Sequence, residues 1–103
     1  MKPLTGIRIL DFTTLLPGPL ATLMLSDAGA EVIKIEKIGG EEMRKSEPKI
    51  FDNSILFAML NRGKKSIEVN LKNPVYLKKI KKLIKKSDVI IEQFREGEME
   101  KLG

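Results

Sequence analysis

The chain has 103 residues, 42% of them hydrophobic and 32% charged, with a net charge of +5. That is the size and balance of one globular domain, far from the composition of a disordered chain. Cysteine and histidine are both absent. Their absence excludes a disulfide framework, a thiolate nucleophile, a Ser-His-Asp triad and any Cys- or His-ligated metal built from this chain alone.

Apolar stretches such as residues 20–25 fall far short of the ~20 residues that cross a bilayer. The N-terminus also lacks a basic region followed by an apolar core. A cytoplasmic location is therefore expected, and the positive net charge favours an anionic ligand.

Residues 7–12 are a short β-prone apolar run, followed by the turn-forming Pro17-Gly18-Pro19. Pro19 suits a first helical turn, and Leu20, Leu23, Met24 and Ala28 recur at helical spacing until Gly29. Residues 32–36 read as a second strand closed by Gly39-Gly40. Parallel strands need a crossover helix, and such crossovers are right-handed, so this strand–helix–strand spacing predicts an α/β fold with a Rossmann-like parallel sheet and flanking helices.

Residues 41–53 mix charge with Pro48, show no period, and are expected as a mobile surface loop of the kind that often carries function. A helix over 54–60 leads through Asn61-Arg62-Gly63-Lys64 into a third strand, where Ile67, Val69 and Leu71 alternate with polar residues. Alternation marks one exposed face or an edge. Asn73-Pro74 pairs a capping residue with a first-turn proline, and Leu77, Ile80, Leu83 and Ile84 form the buried stripe of a helix to about Ser87. Residues 88–94 are a fourth strand, and residues 98–102 begin a last helix after Gly97.

Pro17-Gly18-Pro19 stands where a strand's C-terminal end meets a helix N-terminus, the place where open α/β sheets bind phosphorylated ligands. It reads either as a ligand contact or as a plain tight turn. A nicotinamide site is disfavoured, although Glu36 ends the second strand where such folds place a ribose-binding acid. Prolines and Leu20 occupy the positions where G-x-G-x-x-G would offer free amides and room for a pyrophosphate.

Asn61-Arg62-Gly63-Lys64-Lys65 offers three cations and an amide, either a phosphate grip or a polar turn closing a helix. Phe94-Arg95-Glu96-Gly97 offers a ring and a guanidinium for a nucleotide, while Phe94 equally fits a core. Lys78, Lys79, Lys81, Lys82, Lys85 and Lys86 fill the positions between apolar residues on one helix. They read as a solvated face rather than a nucleic-acid interface.

Taken together, these segments resemble the class III CoA transferases and the α-methylacyl-CoA racemases that share their fold, the CaiB/BaiF-like family. The likeness runs through Leu4-Thr5-Gly6-Ile7-Arg8-Ile9-Leu10-Asp11, Pro17-Gly18-Pro19 and Gly29-Ala30-Glu31-Val32-Ile33-Lys34-Ile35-Glu36. It continues through Asn61-Arg62-Gly63-Lys64-Lys65-Ser66 and Asp88-Val89-Ile90-Ile91-Glu92 to Met99-Glu100-Lys101-Leu102-Gly103.

The resemblance implies that residues 1–103 are the amino-terminal part of a CoA-binding Rossmann-like domain, incomplete, with the second domain absent. It implies coenzyme A as ligand, carried as an acyl-CoA thioester, and no metal. The family's interlocked dimers imply a homodimer or a partner chain supplying the missing catalytic part; no nucleic acid and no membrane partner are expected. The ligand positions it implies are Leu15 in the first loop, Lys37 near the adenosine phosphates, and Leu60, Asn61, Arg62 and Lys64 in the second loop. Phe94 and Arg95 would flank the adenine and diphosphate, and Lys101 stands where an arginine is usual. Lys37 and Lys101 keep charge without arginine's bidentate fork.

Leu16 stands where formyl-CoA-type transferases carry glutamine, Pro17-Gly18-Pro19 looks more like the racemase branch, and Gln93 replaces the transferases' asparagine. These departures favour an α-methylacyl-CoA racemase-like parent, which epimerises 2-methylacyl-CoA thioesters through an enolate. A class III CoA transferase moving CoA between carboxylic acids is the alternative, and a stand-alone CoA-binding or assembly module a third. The family's catalytic aspartate or histidine–aspartate pair falls beyond Gly103, so no catalytic residue is expected in this chain and the chain alone is expected to be inactive.

Overall fold

Ile9-Leu10 and Val32-Ile33 carry apolar side chains on both faces of their strands, which is stable only in a sheet covered on both sides. The computed structural model describes residues 2–102, the last of these as backbone alone. Gly103, which ends the closing family-like motif, lies outside the described residues. In chain order the elements are β1 (Arg8–Asp11), α1 (Pro17–Asp27), β2 (Glu31–Glu36), a 3-10 turn (Glu42–Lys45), β3 (Lys49–Ile50), β4 (Asn53–Ser54), α2 (Ile55–Asn61), β5 (Lys65–Glu68), α3 (Pro74–Lys85), β6 (Val89–Ile91) and α4 (Glu98–Leu102).

The main sheet has the order β5-β2-β1-β6, with every neighbouring pair parallel. Leu10 of β1 stands opposite Ile33 on one side and Ile90 on the other. One face buries Leu10, Phe12, Ile33, Ile35 and Val69 against Ile80 of α3, with Leu83 and Ile84 partly buried beside them. The other buries Ile9, Ala30 and Val32 with Leu25 of α1. Helices on both faces, as the sequence requires, make this a doubly wound arrangement whose topological switch lies between β1 and β6.

Local chemistry sets the ends. Asn73 accepts a hydrogen bond from the Val75 N–H at 2.9 Å, capping α3 ahead of Pro74. All six lysines singled out on and just after α3 are exposed. Among the described residues, no helix is long and apolar enough to cross a membrane.

Three expectations need correction. Residues 41–53 hold a 3-10 turn and a two-stranded antiparallel hairpin of β3 and β4, with Glu41 buried at their start. These are held by local polar bonds that leave no hydrophobic period. The third main strand ends at Glu68, so Val69 and Leu71 follow it, though the Val69 N–H still bonds the Glu36 carbonyl at 2.9 Å. The fourth ends at Ile91, where pairing with β1 stops at Asp11. β5 is exposed along its whole length and stands at the sheet edge, as its alternation implies.

Candidate functional site

All four main strands are parallel, so their C-terminal ends open on one side, and a cavity of about 760 Å³ lies there. Its wall comes from Phe12, Thr14 and Leu15 after β1, residues 35–38 at the end of β2, Glu41 and Glu42 beyond it, residues 69–72 after β5, and Phe94 with Glu98 and Lys101. This is the crevice in which open α/β sheets hold ligands. Phe12 and Phe94 meet edge to face at 6.2 Å between centroids and brace β1 against the segment after β6. Lys37, Lys72 and Lys101 bring positive charge to the wall, beside Glu42 and Glu98. Lys37 Nζ pairs with Glu42 Oε1 at 3.4 Å, with both side chains largely in solvent.

Beneath this wall runs a series of ion pairs that balances three carboxylates with three cations. Asp11, fully buried, accepts from the Thr13 N–H at 2.8 Å, the Thr13 hydroxyl at 2.5 Å and the Thr22 hydroxyl at 2.6 Å. Lys64 Nζ faces Asp11 Oδ2 at 3.4 Å and donates to Asn61 Oδ1 at 2.7 Å and the Pro19 carbonyl at 3.1 Å. Lys34 Nζ donates to the Thr13 carbonyl at 3.0 Å and pairs with Glu41 at 3.5 Å, both side chains about 1% exposed. Glu36 receives Arg44 through two bonds of 2.7 Å, together with the Glu41 N–H at 2.8 Å and the Ser66 hydroxyl. Arg44 also stacks 4.0 Å from the Phe57 ring centre. Every buried side-chain nitrogen and oxygen among the described residues has a partner, as a buried ionic network requires.

Three of these groups are shifted, the Arg44 guanidinium upward by its hydrogen bonds to Glu36. Burial by itself would raise the Glu36 carboxyl, but hydrogen bonds from Arg44, Ser66 and the Glu41 N–H overcome it and hold the group at about 2. Burial pushes the Lys64 ammonium down, and the Asp11 charge only partly restores it. A carboxyl lowered from 4.5 to about 2 binds fewer protons folded than unfolded. Its stabilisation is complete above about pH 4.5 and is lost as pH falls towards 2, a change of about 3 kcal/mol. Glu36→Gln should therefore flatten the fall in stability between pH 4.5 and 2, as read by urea unfolding at stepped pH. An unchanged acid profile would show that Glu36 does not carry this dependence.

The same geometry bears on nucleotide choice. Glu36 ends β2 where a ribose-binding acid would stand, but its side chain is fully buried and saturated by Arg44, Ser66 and the Glu41 amide. It is not free to accept two ribose hydroxyls. Pro17-Gly18-Pro19, expected as a loop ahead of the helix, instead forms the first turn of α1, and it lies outside the cavity wall. A Cβ at Gly18 would overlap Thr13 and the Gln93 amide oxygen, so this turn is a close-packing point.

Of the residues singled out from the sequence, Leu15, Lys37, Phe94 and Lys101 come together on the cavity wall. Leu60, Asn61, Arg62 and Lys64 do not line it. Asn61 is buried and bonds the Phe57 carbonyl and Lys64; Lys64 is turned inward to Asp11; Arg62 pairs with Asp27 of α1 at 2.7 Å on the surface. Arg95 is exposed next to Phe94 and outside the wall. Sequence reasoning missed Asp11, Lys34, Glu41 and Arg44 as members of the network, and Lys72 on the wall. Lys34 was open to detection: a lysine between Ile33 and Ile35, in a strand apolar on both faces, must find a buried partner.

Residues 4–103 match the profile of CoA-transferase family III. The chain is 45% identical over its whole length to succinyl-CoA:glutarate CoA-transferase of Mus musculus, covering 24% of that protein. It is 41% identical over 99% of its length to formyl-CoA:oxalate CoA-transferase of Bradyrhizobium diazoefficiens, again covering 24% of that protein. Among solved structures, the Rv3272 protein of Mycobacterium tuberculosis superposes with a TM-score of 0.93 at 47% identity, over all of this chain and 28% of that one. A CAIB/BAIF family protein of Brucella suis superposes with a TM-score of 0.91 at 30% identity, over 98% of this chain and 28% of that one. The chain thus spans about a quarter of the length of these relatives. A profile match over nearly every residue, joined to the same parallel sheet in solved relatives, establishes that this chain belongs to CoA-transferase family III.

Proposed function

We propose that the chain is the CoA-binding, amino-terminal part of an enzyme that moves CoA between carboxylic acids, and that the cavity beyond β1, β2 and β5 receives the nucleotide end of the cofactor. The observation that carries this reading is the gathering of Leu15, Lys37, Phe94 and Lys101 around one crevice at the sheet's switch point, while Glu36, the acid a nicotinamide cofactor would need, is sealed by Arg44. Lysines on the wall suit phosphates, and the aromatic ring and aliphatic wall suit adenine. The chain's share of the reaction is to bind and orient the thioester carrier. We assign no catalytic residue within it.

The transferase reaction is preferred over racemisation because two of the three features that favour a racemase, Gln93 and Pro17-Gly18-Pro19, have packing roles, while Leu16 is more than half exposed. Gln93 donates to the Thr14 carbonyl at 3.0 Å and abuts Gly18. Gln93 and the Pro17-Gly18-Pro19 turn thus report how the β1–α1 loop packs. The named curated relatives cited above are transferases, which supports the same choice. A homodimer or partner chain supplying the rest of the active site, and a cytoplasmic location, complete the proposal.

Calorimetric titration with CoA and separately with NAD tests it. Saturable CoA binding is expected, falling about tenfold, or ~1.4 kcal/mol, in Lys37→Ala and again in Lys101→Ala. Binding should also weaken as salt is raised, because the cations stand in solvent. NAD should give no saturable heat. Comparable binding of NAD, or no CoA binding by a folded chain, would overturn the reading.

A further inference from the structure

Leu15 is the one residue of the cavity wall whose backbone conformation its own side chain does not favour. It is a leucine at φ +63°, in the left-handed region that favours glycine, and its side chain stands 44% exposed. What holds it there lies 26 residues later in the chain. The Leu15 N–H donates to Glu41 Oε1 at 2.7 Å, and Glu41 Oε2 accepts from the Met43 N–H at 2.5 Å. Glu41 is 2% exposed, with Lys34 as its buried counter-charge at 3.5 Å. Lys34 in turn donates to the Thr13 carbonyl at 3.0 Å. One ion pair therefore grips the loop after β1 at two points, Thr13 O and Leu15 N. The same carboxylate begins the 3-10 turn that carries Glu42 to the cavity wall and Arg44 to Glu36.

We infer that Glu41 is a positioning residue for the ligand cavity: its buried carboxylate holds Leu15 in the left-handed conformation that shapes the wall, and through Leu15 it sets affinity for CoA. Glu41 itself borders the cavity, but it is almost wholly buried and both of its oxygens are already used by backbone amides, so the carboxylate acts on the ligand through the loop. The second half of the inference rests on the CoA reading above. The first half does not.

The test uses the full chain and three variants, Glu41→Gln, Leu15→Gly and the pair together, with amide hydrogen exchange and CoA titration on each. In the unaltered protein the Leu15 amide should exchange slowly despite its place in an exposed loop. A fast-exchanging Leu15 amide would overturn the inference without any variant, which covers the case that Glu41→Gln does not fold. In Glu41→Gln, a neutral amide replaces the charge and places a donor against one of the two N–H groups. Leu15 exchange should rise by about tenfold or more, and CoA affinity of the folded protein should fall by about tenfold. Glycine adopts a positive φ unaided. Adding Glu41→Gln to Leu15→Gly should therefore weaken CoA binding less than about twofold further, because little remains for the carboxylate to hold. Equal weakening in both backgrounds, or a Leu15 amide still protected in Glu41→Gln, would overturn the inference. A protein that binds no CoA would end the CoA reading, while the Leu15 amide would still decide whether Glu41 holds the loop.

Discussion

Lys64→Ala is expected to cost about 4 kcal/mol of folding stability, while Arg62→Ala, two residues away in the same loop, is expected to cost less than ~1 kcal/mol. The two cations face different worlds. Arg62 reaches Asp27 across solvent, where ionic strength and side-chain entropy cancel most of the attraction. Lys64 is inside, with its side chain about 1% exposed, and serves Asp11, Asn61 and the Pro19 carbonyl together. Truncating it leaves a fully buried carboxylate without its cation and two buried acceptors short of a donor. The whole domain has roughly 5–15 kcal/mol to lose, so Lys64→Ala should unfold at a far lower urea concentration. Similar midpoints for the two variants would mean that Lys64 is not the internal partner of Asp11, and would return it to the surface loop.

Gly18→Ala is expected to be nearly as damaging, at about 3 kcal/mol, the upper end of what overpacking costs. The added methyl would overlap Thr13 Cβ and Cγ2 and the Gln93 amide oxygen. Gln93 is exposed and can swing away, but Thr13 cannot, since it is buried and gives two hydrogen bonds to Asp11. The strain must pass into the backbone of the β1–α1 loop. Gly39→Ala is the control: its Cβ would meet nothing within 4 Å, but its φ is +93°. The left-handed backbone alone should cost it about 1–2 kcal/mol. Thermal unfolding of both variants separates space from conformation. A Gly18→Ala protein as stable as the parent would show that the close approach of α1 to Thr13 is not required.

The sheet was legible because hydrophobic period and turn residues agree over most of the chain. Val32, Ile33 and Ile35 lie in a strand bounded by Gly29 and Gly39, and Asn73-Pro74 starts a helix whose stripe ends in Ile84; each element stands where this patterning puts it. The segment from Glu41 to Ser54 was not legible, because what organises it is a buried carboxylate on two amides and Ser54 capping α2 through the Phe57 N–H, neither of which leaves a hydrophobic pattern. Val69 and Leu71 misled in the opposite direction, keeping strand-like alternation beyond the last paired residue.

For the site, family resemblance singled out Leu15, Lys37 and Phe94 in loops and Lys101 on α4, which the fold brings to one crevice. It could not tell which way Lys64 points. That depends on Asp11, which lies 53 residues earlier and becomes its neighbour only when β5 pairs with β2 and β2 with β1. Spacing within one loop carries no information about such a partner.

The most direct test of the account is amide NMR of the labelled chain titrated with CoA. The predicted result is saturable shifts confined to the crevice, at residues 12–15, 36–38, 69–72 and 94 and at Lys101, with Arg62 and the lysine face of α3 unmoved. Shifts centred on Arg62 or on Lys78 to Lys86 with the crevice silent, or a folded chain whose spectrum CoA does not change, would contradict it.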